Sequence, residues 1–94
     1  MIRDENVVFV GEKPLSSYIL ACMTLFHSGE EEVGIRARGK AISRAVDVAE
    51  VVRNRFTIDV SIKYVDIGTE QIATKDGRMI NSSTINIILK RYRE

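Results

Sequence analysis

The feature that most constrains this chain is a change of hydrophobic period in mid-sequence. Val33, Ile35 and Ala37 alternate with Gly34, Arg36 and Arg38, the pattern of a strand with one buried face. Gly39 breaks the alternation. From Lys40 the polar positions Lys40, Ser43, Arg44, Asp47, Glu50 and Asn54 recur at spacings of three and four, which puts them on one solvated stripe of a helix. The remaining helix surface (Ala41, Ile42, Ala45, Val46, Val48, Ala49, Val51, Val52) is apolar over a wider arc than one sheet contact requires. A helix of that kind packs on two things, and the second is expected to be another subunit.

The chemistry lies where strand meets helix. Arg36, Arg38 and Lys40 fall within five residues, Arg44 follows one turn on, and no acid intervenes before Asp47. Glycine lets a phosphate approach the backbone, and the unpaired N–H groups of a helix start favour an anion. Four cations around such a point suit a polyanion better than a single small phosphate. The competing reading is a solvated basic edge that binds nothing.

Around this stretch the chain reads as β-α-β-α-β-β. Asn6 to Val10 is a short apolar run ending at Gly11, and Pro14 stands where proline can open a helix. Leu15, Tyr18, Ile19, Cys22, Met23, Leu25 and Phe26 follow at helical spacing, and Gly29 supplies a left-handed stop. After Phe56 the period returns to two, with Ile58, Val60, Ile62 and Tyr64 on one face. Ile85 to Leu89 is a last, nearly uniformly apolar strand. Residues 68–83 between them are polar, with Asp76-Gly77 as a hairpin turn, and read as a long arm reaching into solvent. The terminal Lys90, Arg91 and Arg93 read as a solvated tail. The expected fold is an α/β two-layer sandwich, a mixed four-stranded sheet with two helices on one face, as a single domain over 1–94.

Charge is sorted along the chain although the total is only +1. Residues 1–32 carry two bases against six acids, residues 33–55 six bases against two acids, and residues 56–94 six against five. The organising stretch is therefore the basic pole. Trp is absent and aromatics make up 6%, so the core must be aliphatic. The single Cys22 permits neither an internal disulfide nor a cysteine metal cluster and fits a reducing, cytoplasmic compartment. No apolar run is long enough to cross a membrane.

Enzymatic chemistry finds little support. His27, the only histidine, falls in the last turn of the first helix, where a capping role suits it. Cys22 sits among apolar helix positions, and there is no nucleophile elbow, metal spacing or glycine-rich nucleotide loop. No catalytic residue, metal or cofactor is assigned.

The run Ala37-Arg38-Gly39-Lys40-Ala41-Ile42-Ser43-Arg44-Ala45-Val46-Asp47, followed by Val52-Arg53-Asn54-Arg55-Phe56, resembles the core of the Alba family. The likeness extends to Asn6-Val7-Val8, Gly11-Glu12-Lys13-Pro14, Asp76-Gly77-Arg78 and Ser83-Thr84-Ile85, and so to nearly the whole chain. Alba proteins are small dimeric archaeal chromatin proteins that bind DNA and RNA. The resemblance implies strand order 1-2-4-3 and sequence-nonspecific binding of double-stranded DNA by a homodimer associated with the chromosome. It puts the basic junction and Lys13 on phosphate and the arm, with Lys75 and Arg78 at its tip, in the minor groove. It also makes Lys13 a possible acetylation site, and Arg53, Asn54 and Phe56 a contact between neighbouring dimers. The family loop usually carries two consecutive lysines; here Glu12 replaces the first. The alternatives are a family member serving RNA metabolism, and a small dimeric module that binds a metabolite or protein.

Overall fold

In the computed structural model, which describes residues 4–55 and 59–92, the turn chemistry and hydrophobic periods resolve into six main elements. They are β1 (Val7–Phe9), α1 (Leu15–His27), β2 (Glu32–Arg38), α2 (Ile42–Arg55), β3 (Val60–Ala73) and β4 (Met79–Arg91). Short 3-10 turns occupy Asp4–Asn6 and Gly39–Ala41. The sheet order is β1-β2-β4-β3. β1 runs parallel to β2, and β4 is antiparallel to both of its neighbours. This is the expected mixed four-stranded sheet.

Alternation in β2 decides which face meets the helices. Val33, Ile35 and Ala37 stand opposite Leu89, Ile87 and Ile85 of β4, and all but the partly buried Ile85 are core residues. Cys22 and Phe26 of α1 and Ala45, Val48, Ala49 and Val52 of α2 pack onto that face. The core is aliphatic around Phe26, with Tyr18 at its margin. Burial pushes the Cys22 thiol up to about 12, so it stays protonated and inert at neutral pH.

Gly29 ends α1 as expected, with φ +102°. Glu30 N–H donates to the Leu25 carbonyl (3.1 Å) and Gly29 N–H to that of Phe26 (3.1 Å), the paired bonds of a Schellman motif. Arg91 corrects the reading of the C-terminal bases as a tail. It lies in β4, and its guanidinium donates to the Phe26 carbonyl at 3.1 Å, fastening the end of α1 to the sheet.

The hairpin arm at 68–83 is a paired ribbon: β3 and β4 continue through it, from Gly68 opposite Thr84 to Ala73 opposite Met79. Backbone pairing needs no apolar side chains, so the hydrophobic pattern did not show how far the strands extend. A correction concerns the inner part of β3. The period of two is interrupted there by a register shift between Ile62 and Tyr64. Ile62 opposes Leu89 on the helix side, while Tyr64 opposes Ile88 on the other face, against the expectation that they share one. At the irregularity Lys63 reaches over β4 to Glu32, 2.9 Å away. Hydrogen bonding between the two holds the Glu32 carboxyl below its usual range and raises Lys63.

Candidate nucleic-acid interface

Gly39 has φ +56°, a left-handed conformation that a side chain would strain, and it turns the chain sharply out of β2. Because the turn is this tight, Arg36 and Arg38 at the end of β2 stay close to Lys40 in the 3-10 turn and Arg44 in the first turn of α2. All four line one groove of ≈ 840 Å³. The structure thus gathers the four cations of the basic pole. Sequence spacing did not show that three acids line the groove too: Glu12 from the loop before α1, and Asp66 and Glu70 from β3. Arg38 is paired with Glu70 across 3.1 Å, both side chains more than half exposed. An exposed pair of this kind is worth at most about 1 kcal/mol, so a phosphate can displace the carboxylate.

Arg44 is placed differently from its expected position on a solvated stripe. It is half-buried, its Nε donates to the Gly11 carbonyl at 2.9 Å, and its terminal nitrogen donates to the Lys13 carbonyl. The loop it grips is held a second time, because the Lys13 amide donates to the hydroxyl of Tyr18 at 3.0 Å. Tyr18 and Arg44 therefore fix the backbone that presents Glu12 and Lys13, both exposed. Neither role was read from the sequence; a tyrosine where an apolar helix stripe could hold phenylalanine was the one available hint. Arg44→Lys keeps the charge but loses the planar fork that holds two carbonyls. That variant is expected to lose about 1 kcal/mol of stability and to show faster amide hydrogen exchange at residues 11–13. Unchanged protection would mean that Tyr18 holds the loop alone.

The remaining sequence candidates lie elsewhere. Lys75 and Arg78 are at the far end of the β3–β4 ribbon, about 20 Å beyond the Ile67–Ile85 pair at the usual rise per residue. The tip is a closed turn: Thr74 N–H donates to the Arg78 carbonyl (2.7 Å), Gly77 N–H to that of Thr74 (3.0 Å), and Gly77 has φ +87°. Arg78 is 3.0 Å from Asp76, which leaves Lys75 as the exposed tip cation without an ion pair among the described residues. Arg53 and Asn54, at the end of α2, both donate to Glu50 at 2.8 Å. Phe56 lies outside the described residues, as does Ile58.

Comparison with known proteins completes the picture. A family model described as Alba matches residues 6–71. The chain is 56% identical over 90 residues to the DNA/RNA-binding protein Alba of Methanocella arvoryzae, covering 96% of this chain and 94% of that protein. It is 58% identical over 87 residues to the DNA/RNA-binding protein Alba 1 of Archaeoglobus fulgidus, covering 93% and 97%. Among solved structures it is similar to Alba from Thermoplasma volcanium, with TM-score 0.86, 42% identity, and coverage of 92% of this chain and all of that one. It is also similar to ALBA1 from Trypanosoma brucei, with TM-score 0.77, 25% identity, and coverage of 96% and 72%. The two relatives compared by sequence are named as binding proteins, and theirs is a non-enzymatic family. A model match over most of the length, and identities above one half along nearly all of it, mean that this chain belongs to the Alba family.

Proposed function

We propose that the protein binds double-stranded DNA without regard to sequence, as a homodimer that coats the chromosome. The observation that carries this reading is the convergence of Arg36, Arg38, Lys40 and Arg44 on one groove at the strand–helix corner. Phosphate contacts from such a corner position a protein on a duplex without reading bases. Lys13 adds a cation beside the groove, and the ribbon carries Lys75 and Arg78 far enough to follow the duplex into a minor groove. The names of the relatives, DNA/RNA-binding proteins, agree with this chemistry. Dimer formation is supported by Val46 of α2 and Ile62, Val65 and Ile67 of β3, apolar side chains that are 38–78% exposed in the single chain. Acetylation of Lys13, and contacts between dimers through Arg53, Asn54 and Phe56, belong to the same proposal.

RNA binding through the same groove is the second reading, because phosphates dominate either complex. Titration against duplex DNA and structured RNA at matched salt, repeated at several salt concentrations, separates the two. Affinity for neither would return the chain to the rival class of metabolite-binding or protein-binding modules.

Glu12 supplies a sharper check. It lines the groove, and an acid facing phosphate costs affinity by repulsion. Glu12→Lys is therefore expected to tighten duplex binding about threefold to tenfold, most at low salt, where screening is weakest. Equal or weaker binding by the variant would mean that the loop faces away from the nucleic acid.

A further inference from the structure

Phosphate binding gives no use to Phe9, which lines the same groove as Arg36. On the side away from the helices, strand register sets Phe9, Arg36, Asn86 and Asp66 next to one another across all four strands. Phe9 is 65% exposed at the sheet edge, and the guanidinium of Arg36 lies 5.9 Å from its ring centroid. A phenyl ring contributes nothing to holding phosphate. It does offer a nucleobase the flat face that Arg36 leaves uncovered, while the guanidinium over the other face steadies the ring and can itself stack on a neighbouring base. We propose that Phe9 and Arg36 form a stacking platform for an unpaired base of single-stranded RNA, with the adjoining phosphates running onto Arg38 and Lys40. The proposal rests on the nucleic-acid reading above and adds to it the kind of strand this part of the groove takes.

The ring selects an unpaired base because in a duplex both faces of each base are covered by its neighbours. The polar groups around it select ribose. Asp66 and Thr84 line the groove, and Asn86 Oδ1 is buried with no hydrogen-bond partner among the described residues. These are acceptors, and the 2′-hydroxyl is the sugar donor that DNA lacks. Charge argues against a second copy of this chain as the occupant. A self-complementary contact here would bring the arginines of one copy towards those of the other, whereas a polyanion complements them.

The test compares wild type, Phe9→Ala and Phe9→Tyr on a short oligouridylate, its deoxy counterpart and duplex DNA at one salt concentration, with oligomeric state measured alongside. Phe9→Ala is expected to weaken oligouridylate binding about tenfold while shifting duplex affinity by less than about twofold; Phe9→Tyr, which keeps the ring, retains wild-type affinity. The wild type is expected to hold the ribo strand more tightly than the deoxy strand. Because the ring is mostly exposed, thermal melting of Phe9→Ala should match wild type. The platform is overturned if Phe9→Ala leaves oligouridylate binding unchanged, or if duplex binding falls equally. A changed oligomeric state would overturn it too, by marking the row as a contact between copies. Equal wild-type affinity for ribo and deoxy strands overturns the assignment to RNA. A wild type that binds none of the three ligands overturns the nucleic-acid reading itself, whereas salt-dependent duplex binding alongside an indifferent Phe9→Ala removes the platform alone.

Discussion

Replacing both Arg38 and Lys40 by alanine is expected to weaken duplex binding by about two orders of magnitude or more and to lower the dependence of log K on log salt by about 4, two contacts from each of the dimer's two grooves. Each residue is counted as one phosphate contact, and each contact releases close to one counterion from the duplex. Both side chains are exposed in the free protein. Among the described residues, the ion pair in which either takes part is Arg38 with Glu70. Their removal therefore costs the fold little, and the melting temperature should stay within about a degree or two of wild type. The loss should be similar on unrelated DNA sequences, because charge and not base readout is removed. A preserved salt slope would sink the assignment of the corner to phosphate. A loss confined to one sequence would point instead to base contacts by the same side chains.

How legible the molecule was in its sequence depends on which force set each feature. Wherever burial decided the structure, the pattern showed it. Val33, Ile35 and Ala37 declared the inner face of β2, and the apolar helix positions named Cys22, Phe26, Val48 and Val52 as core. Glycines with obligatory conformations, Gly29 and Gly39, marked the ends of elements for the same local reason. The outer halves of β3 and β4 were legible only as a polar hairpin arm around Asp76-Gly77, because the pairing from Gly68–Thr84 to Ala73–Met79 is held by backbone bonds that leave no hydrophobic trace. The irregularity between Ile62 and Tyr64 was hidden, since one extra residue moves a side chain to the other face without changing composition. The four cations could be grouped because they are close in sequence. The acids facing them could not, because Glu12, Asp66 and Glu70 reach the groove only through tertiary structure. The same holds for Arg44, whose bonds to Gly11 and Lys13 span more than thirty residues.

The second large effect is expected at the opposite side of β3. Val65 and Ile67 oppose Ile87 and Ile85 and so sit on the helix side of the sheet, yet they are 50% and 78% exposed. Val46 and Ile62 add 41% and 38% exposure on α2 and β3. β3 is also an edge strand, and an apolar edge left open in a lone chain invites association. Covering half-exposed side chains of this size is worth on the order of 1 kcal/mol each, or several kcal/mol when two copies bury the same set. That gain is set against the entropy of association, and it is the contribution that a charge at the proposed contact would remove. Changing Val46 and Val65 together to Asp places two charges where the partner would sit and outside the groove lining, at positions whose exposure lets the single chain tolerate them. The variant is expected to remain folded by circular dichroism and to run as a monomer in light scattering. Its duplex affinity should fall on the order of a hundredfold, because a dimer engages its second groove at the high effective concentration set by the first. The salt slope should fall to about half, since one groove then meets phosphate where two did. A variant that stays dimeric would place the interface elsewhere on the chain. A folded monomer with undiminished affinity would show that each groove acts alone, and the duplex would then be a ligand of the subunit and not of the pair.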